Sequence, residues 1–170
     1  RWARRGGAMS EVLTRGTWLV SATLVVALFL TMLPLPAMAE DLRPQWVAMI
    51  LVFWALALPE RVGVFWAFGT GLVLDVATGT LLGHHALGLS VVAYVAVELH
   101  ARVRIFPLWQ QALFVWVLLI LERLLALWVL GATGQPMPSL SYWGSTFVGL
   151  LLWPWLYVVL RDLARRAGAV

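Results

Sequence analysis

Residues 105–130 read IFPLWQQALFVWVLLILERLLALWVL, and the only charges in this run are Glu122 and Arg123. A helix needs about 20 predominantly apolar residues to cross the hydrocarbon core of a bilayer. The run therefore predicts a transmembrane helix. Five further apolar runs surround it, at residues 17–33 (continuing to 39), 45–58, 62–82, 86–97 and 142–160.

The composition excludes a soluble protein. Of the 170 residues, 62% are hydrophobic and 12% are charged, and the mean hydropathy is +0.90. A soluble domain carries about 25% charged residues, and a disordered chain needs low hydrophobicity and high net charge. We therefore predict an all-α integral membrane protein with six transmembrane helices. The second and fourth runs are short for a full span, which suggests tilting, polar flanks or packing among the other helices.

The arginines indicate the orientation of the six helices. All twelve basic residues are arginine, and with a cytoplasmic N-terminus only Arg43 lies outside while Arg123 lies within a span. The positive-inside rule then favours cytoplasmic termini. This divides the chain into a cytoplasmic segment at 1–16, a membrane domain at 17–160 and a cytoplasmic tail at 161–170. Small arginine clusters between apolar runs do not form a phosphate-tracking stripe, so no nucleic-acid partner is expected.

The N-terminal region leaves two alternatives open. Ala37-Met38-Ala39 before Glu40 is typical of a signal-peptide cleavage site, but the preceding apolar run is longer than the usual 7–15 residues, which favours a retained helix. Residues 1–8 can also be interpreted as an upstream extension, with Met9 as the natural start.

Asp75 is a charged residue within the third run. Gly71 and Gly79 lie four residues to either side of it, and on a continuous helix the three share one face. Small residues let helix backbones approach closely. The functional interpretation is an ion or proton site, and the structural interpretation, which we favour, is a polar anchor between helices.

Glu122 and Arg123 are the other charges within the predicted spans. Arg123 and Asp75 reach similar depths when counted from the same side at ~1.5 Å per residue. We therefore predict an Asp75–Arg123 ion pair, or a network that also includes Glu122.

No catalytic, cofactor-binding or metal-binding residues are predicted. His84 and His85 are expected in a solvated outer turn, and His100 in a solvated cytoplasmic connector. The chain has no cysteine and no lysine, and it contains neither an H-E-x-x-H nor a G-x-S-x-G motif. We expect neither an enzyme nor a cofactor.

Several short motifs resemble one family. They are Arg43-Pro44, the turn Pro59-Glu60-Arg61-Val62-Gly63, Gly71 to Asp75, Gly79 to Gly83 with His85-Ala86-Leu87 after it, Trp109-Gln110-Gln111 and Trp153-Pro154-Trp155. In this order and spacing they are similar to MreD, the rod shape-determining family of bacteria, in its proteobacterial form. The resemblance covers about residues 10–166. Glu60 departs from the histidine expected in many relatives, although the Pro59/Arg61 turn is intact.

The resemblance implies a function. MreD-like proteins are non-enzymatic, multi-pass subunits of the cell-elongation complex in the bacterial inner membrane. They bind MreC and act with MreB, RodA and a class B penicillin-binding protein in peptidoglycan synthesis. Their fold is similar to the six-helix substrate-binding subunits of energy-coupling-factor transporters. A solute-binding subunit of such a transporter is thus the alternative, and it would use an outward cavity near Asp75, Glu122 and the His84–His85 turn.

Overall fold

The chain folds into α-helices joined by short links. The computed structural model describes residues 2–136 and 138–169. Within them the helices are α1 (Trp2–Met32), α2 (Trp46–Ala57), α3 (Val64–Thr78), α4 (His84–Val103), α5 (Leu108–Ala132) and α6 (Gly144–Arg166). Two 3₁₀ helices, Ala37–Leu42 and Leu140–Trp143, lie in the links before α2 and α6. The predicted all-α architecture with six helices is confirmed.

Helix α2 lies at the centre of the bundle. Each of its residues from Val47 to Leu56 is buried, and it packs against α1, α4, α5 and α6. Its 12 residues reach roughly 18 Å at ~1.5 Å per residue, less than the ~30 Å hydrocarbon core. The second run is therefore packed among other helices, as expected. The protein must supply hydrogen-bond partners for the ends of such a short helix.

The boundary between α3 and α4 differs from the prediction. Helix α3 ends at Thr78, because Gly79 adopts a left-handed conformation with φ +67°. A left-handed glycine at this position ends many helices. Helix α4 then begins at His84 and extends over 20 residues, so polar flanks lengthen the short fourth run at 86–97, as one of the alternatives given above expects. The helix is longer than its apolar run because polar residues at both ends also belong to it.

The outer surface of the bundle is apolar. Exposed fractions reach 94% for Phe65, 76% for Trp18 and Trp155, and 74% for Leu151. Three stretches, His84–Val103, Leu108–Ala132 and Leu140–Arg166, are long and apolar enough to cross a membrane. Soluble monomers rarely expose apolar surface of this extent, whereas a lipid environment accommodates it.

The two ends of the bundle differ in charge. One end is formed by the ends of α2, α4 and α6 and the starts of α3 and α5, and we call it the arginine-rich end. It carries Arg61, Arg102, Arg104, Arg161, Arg165 and Arg166. The opposite end carries the two 3₁₀ helices and the α3–α4 link.

Candidate functional site: capped helix ends and a polar cavity

The carboxylate of Asp75 caps the start of α4. Asp75 is fully buried. Its Oδ2 accepts a hydrogen bond from the Gly83 amide at 2.8 Å, and its Oδ1 accepts one from the His85 amide at 2.8 Å. The Thr80 hydroxyl donates to Oδ1 at 3.1 Å. The first amides of a helix have no partner within the helix and carry a partial positive charge. A carboxylate placed there satisfies them and is itself stabilised.

The histidines occupy different places from those predicted. His84 and His85 are the first residues of α4 rather than a solvated turn, and His84 is 7% exposed. The His85 Nδ1 lies 2.9 Å from Asp75 Oδ1. His100 lies within α4 and is half-buried, with its Nδ1 2.5 Å from the carbonyl of Val97. These expectations were wrong because α4 is longer at both ends than its apolar run.

The glycines near Asp75 have separate roles. A Cβ built on Gly71 would lie 2.3 Å from the Cα of Ala86, so this glycine allows α3 to touch the first turn of α4. Gly79 lies outside α3, and a Cβ there would meet nothing within 4 Å. The prediction that Gly79 shares a packing face with Gly71 and Asp75 was therefore wrong. Gly83 has φ +98° and precedes α4, in a conformation that favours glycine.

The predicted ion pair between Asp75 and Arg123 is not formed. Arg123 Nη2 donates to the hydroxyl of Ser145 at 3.0 Å, and its guanidinium lies 4.0 Å from the centre of the Tyr142 ring. Both partners lie at the start of α6 or just before it, so Arg123 joins α5 to α6. The prediction failed because equal depth in a bilayer does not place two side chains on facing sides of their helices.

Glu122 links α5 to the start of α2. It is 4% exposed, and the Gln45 Nε2 donates to its Oε2 at 2.5 Å. Gln45 immediately precedes α2. A Cβ on Gly88 of α4 would lie 3.2 Å from the Glu122 Cγ. The Glu122 carboxylate therefore sits where α2, α4 and α5 meet, and it is not part of a network with Asp75.

Three further polar side chains cap the carbonyl ends of helices. Arg43 donates to the carbonyls of Thr31 and Leu33 at the end of α1, the latter at 2.8 Å. Gln111 Nε2 donates to the carbonyl of Val103, the last residue of α4, at 3.2 Å. Arg104 Nη2 donates to the carbonyl of Ala57, the last residue of α2, at 3.2 Å. Cations and amide donors stabilise helix C-termini because the last carbonyls have no internal partner.

We expect the Arg43→Met variant to lower the free energy of unfolding by roughly 1–3 kcal/mol, because the Thr31 and Leu33 carbonyls lose a charged donor. Thermal unfolding of the full chain in mild detergent would measure this. Arg166→Met is the matched control, since the Arg166 side chain is 79% exposed and pairs with the exposed Asp162 on its own helix. Equal effects of the two changes would contradict the capping role of Arg43.

The other motif residues hold turns or cover surfaces. Pro44 precedes α2, and its carbonyl accepts from the Trp46 amide at 2.9 Å. Pro59 and Arg61 lie in the α2–α3 turn, Gly63 precedes α3, and the Arg61 guanidinium approaches Gly16 of α1. Trp153 is fully buried beside Pro154, whereas Trp109 and Trp155 are 62% and 76% exposed and Gln110 is half-buried. These positions fit packing and lipid contact.

A polar cavity of about 270 Å³ opens near the opposite end of the bundle. Its lining includes Glu40, Arg43, Gln45, His85, Glu122 and Arg123. Three buried lining atoms, Arg43 Nε, Gln45 Oε1 and Arg123 Nε, have no hydrogen-bond partner within the described chain. Buried polar atoms normally find a partner, so the cavity suits water or a small polar solute. Glu122 and His85 of the expected cavity line it, whereas Asp75 and His84 do not, and Gln45 was missed.

Comparison with known proteins identifies the family. The model of the MreD family, described as rod shape-determining protein MreD, matches residues 13–163. The chain belongs to the MreD family. A protein of Haemophilus influenzae named rod shape-determining protein MreD is 32% identical over 145 residues, which cover 84% of this chain and 88% of that protein. No solved structure matches the chain.

Membership in the MreD family confirms the resemblance found in the motifs. It assigns the chain to rod-shape determination. Together with the three long apolar helices, it identifies an integral membrane protein.

Proposed function

We propose that the chain is a non-enzymatic scaffold subunit of the bacterial cell-elongation complex. It would bind MreC in the inner membrane, together with MreB, RodA and a class B penicillin-binding protein, and so support peptidoglycan synthesis and rod shape. The observation that carries this proposal is the structural use of the buried polar side chains, in a family named for shape determination. Asp75, Arg43 and Gln111 each satisfy helix ends.

The charge distribution supports a multi-pass topology with cytoplasmic termini. The arginine-rich end carries six arginines from the α2–α3 turn, from the end of α4 and the residue after it, and from the end of α6. Cytoplasmic loops are enriched in arginine and lysine near the membrane. The arginine-rich end would therefore face the cytoplasm, and Asp75 and the polar cavity would lie towards the outside.

A groove between α1 and α3 is our candidate for the MreC transmembrane helix. It has a volume of about 560 Å³ and is mostly apolar, with the small residues Ser21, Gly69 and Thr70 in its lining. A Cβ added to Gly69 would meet nothing within 4 Å. Because small residues let a second backbone approach closely in a membrane, this groove suits a single helix better than the exposed aromatic surfaces do.

We expect the Gly69→Trp variant to recover at least about fivefold less MreC than the wild type, because the indole would fill the groove. The measurement is a pull-down of the tagged full chain from native membranes in mild detergent, with partners quantified by mass spectrometry. Leu151→Trp is the control, since Leu151 is 74% exposed on α6 and does not line the groove. If both variants recover MreC fully, MreC does not bind in this groove. If the wild type recovers no MreC, the scaffold proposal is wrong.

The polar cavity favours one alternative, a solute-binding subunit of an energy-coupling-factor-type transporter. Its unpaired atoms are donors on Arg43 and Arg123 and an acceptor on Gln45, a set that suits a small molecule with both kinds of group. Mass spectrometry of small molecules that co-purify with the chain would test it. A solute retained by the wild type and lost in Glu122→Gln, with a paired ATPase module in the pull-down, would favour the transporter over the scaffold.

A further inference from the structure

A second cavity opens at the arginine-rich end, where α2, α4, α5 and α6 meet. It has a volume of about 110 Å³. That volume equals about three or four water molecules at ~30 Å³ each, which suits one small polar group. Its apolar lining includes Phe53, Leu56 and Val103, all of them buried.

Cationic side chains surround this apolar hollow. Arg104, Arg161 and Arg165 line it from the end of α4 and from α6. Arg104 gives one donor to the Ala57 carbonyl, and a guanidinium has five N–H donors in all. Guanidinium groups bind phosphate in a bidentate manner. The combination of exposed arginines with buried apolar walls therefore suits a phosphate group that carries a small organic substituent.

A buried acceptor in the lining limits which phosphate-containing groups fit the cavity. Gln111 is 5% exposed, and its Nε2 donates to the carbonyls of Val103 and Phe106. Its Oε1 is buried and has no hydrogen-bond partner within the described chain. A phosphate diester has no donor to offer this oxygen. The hydroxyl of a glycerol headgroup has one.

We propose that this cavity binds the headgroup of an anionic phospholipid with a glycerol headgroup, such as phosphatidylglycerol or cardiolipin. The exposed Arg104, Arg161 and Arg165 hold the phosphate at the mouth of the cavity, Gln111 Oε1 accepts a hydrogen bond from the headgroup hydroxyl inside it, and the apolar lining packs against the carbons of the headgroup glycerol. Basic pockets between membrane helices are known to bind anionic headgroups. The site does not depend on MreC or on the direction in which the chain crosses the membrane.

Native mass spectrometry of the full chain in mild detergent tests the site with phosphatidylglycerol as the probe. In Arg161→Gln/Arg165→Gln we expect affinity to fall about fivefold for each arginine removed. Arg102→Gln/Arg166→Gln is the matched control, because it removes two charges at the same end and neither residue lines the cavity. An equal loss of affinity for phosphatidylglycerol in both double variants would show that the lipid is attracted by the charge of this end as a whole, and the proposed site would be wrong. If the first double variant does not fold, the two single variants replace it, since both arginines are exposed.

Three further probes test separately the need for a net charge, for a headgroup hydroxyl and for a lipid rather than free phosphate. Phosphatidylcholine with the same acyl chains should bind at least about tenfold more weakly, because it has no net charge. Phosphatidylmethanol keeps the charge without a hydroxyl, and binding equal to that of phosphatidylglycerol would overturn the role of Gln111. Inorganic phosphate in large excess should not displace the lipid, and complete displacement would show a site for free phosphate instead.

Discussion

The Asp75→Ala variant is expected to lower the free energy of unfolding by about 3–5 kcal/mol, since it removes a charged acceptor from several part-buried donors at once and a hydrogen bond to a charged group contributes about 1.5–3 kcal/mol. The amides of Gly83 and His85 and the hydroxyl of Thr80 all donate to this carboxylate. The carboxylate itself is fully buried, so the two amides lose an acceptor on the side that faces the bundle. Thermal unfolding of the full chain in mild detergent should show an apparent melting temperature about 10 °C lower.

Two other variants provide reference values for the loss of stability in Asp75→Ala. Asp162→Ala removes a carboxylate that is 58% exposed and pairs with Arg166 on the same helix, so we expect a change below about 0.5 kcal/mol. Asp75→Asn keeps one acceptor oxygen but loses the charge, and it should fall between the wild type and Asp75→Ala. An Asp75→Ala variant as stable as Asp162→Ala would show that the start of α4 does not depend on the cap.

Double-mutant cycles distinguish the observed partner of Asp75 from the predicted one. The His85 ring contacts Asp75, so Asp75→Ala and His85→Ala should be coupled by more than about 0.5 kcal/mol. Arg123 contacts Ser145 and Tyr142 instead, so its replacement by alanine should be additive with Asp75→Ala. If Arg123→Ala rescued the stability of Asp75→Ala, the result would contradict the structure and support the ion pair predicted from the sequence.

The sequence was sufficient to predict the number and order of the helices, because each long apolar run in such a composition indicates one helix. Each of the six apolar runs overlaps a helix of the structure, although α1, α4 and α6 extend well beyond their runs, and 105–130 corresponds closely to α5. The sequence also identified Asp75, because a carboxylate in an apolar run needs a partner. The partner was missed, since the amides that bind it belong to a helix start predicted two residues too late, at 86 instead of His84.

The remaining contacts of the site depend on how the helices face one another. Gln45 meets Glu122 across 77 positions of sequence, and Arg123 meets Ser145 across 22. Hydrophobic periodicity predicts that a helix forms, but it does not predict which of its faces meets a neighbouring helix. Gly79 did carry a readable signal, because a glycine in a left-handed conformation often ends a helix. Its four-residue spacing from Asp75 led instead to the incorrect packing face.

The Gly71→Ala variant is expected to lower the free energy of unfolding by about 3 kcal/mol, at the upper end of the usual cost of overpacking. The added Cβ would lie 2.3 Å from Cα and 2.7 Å from N of Ala86. These are backbone atoms, which cannot rotate away as a side chain does. Helices α3 and α4 must separate, and the separation draws the Asp75 carboxylate away from the amides that it caps.

Gly69→Ala provides the matched control for Gly71→Ala on the same helix. A Cβ at Gly69 meets nothing within 4 Å, so this change should stabilise α3 by about 0.5–1 kcal/mol, as alanine does in a helix interior. Opposite signs in thermal unfolding are thus expected from the same substitution two residues apart. Because Gly71 and Asp75 support one junction, Gly71→Ala/Asp75→Ala should cost less than the sum of the single changes. Full additivity would mean that the close approach at Ala86 and the cap on α4 are independent features of the bundle.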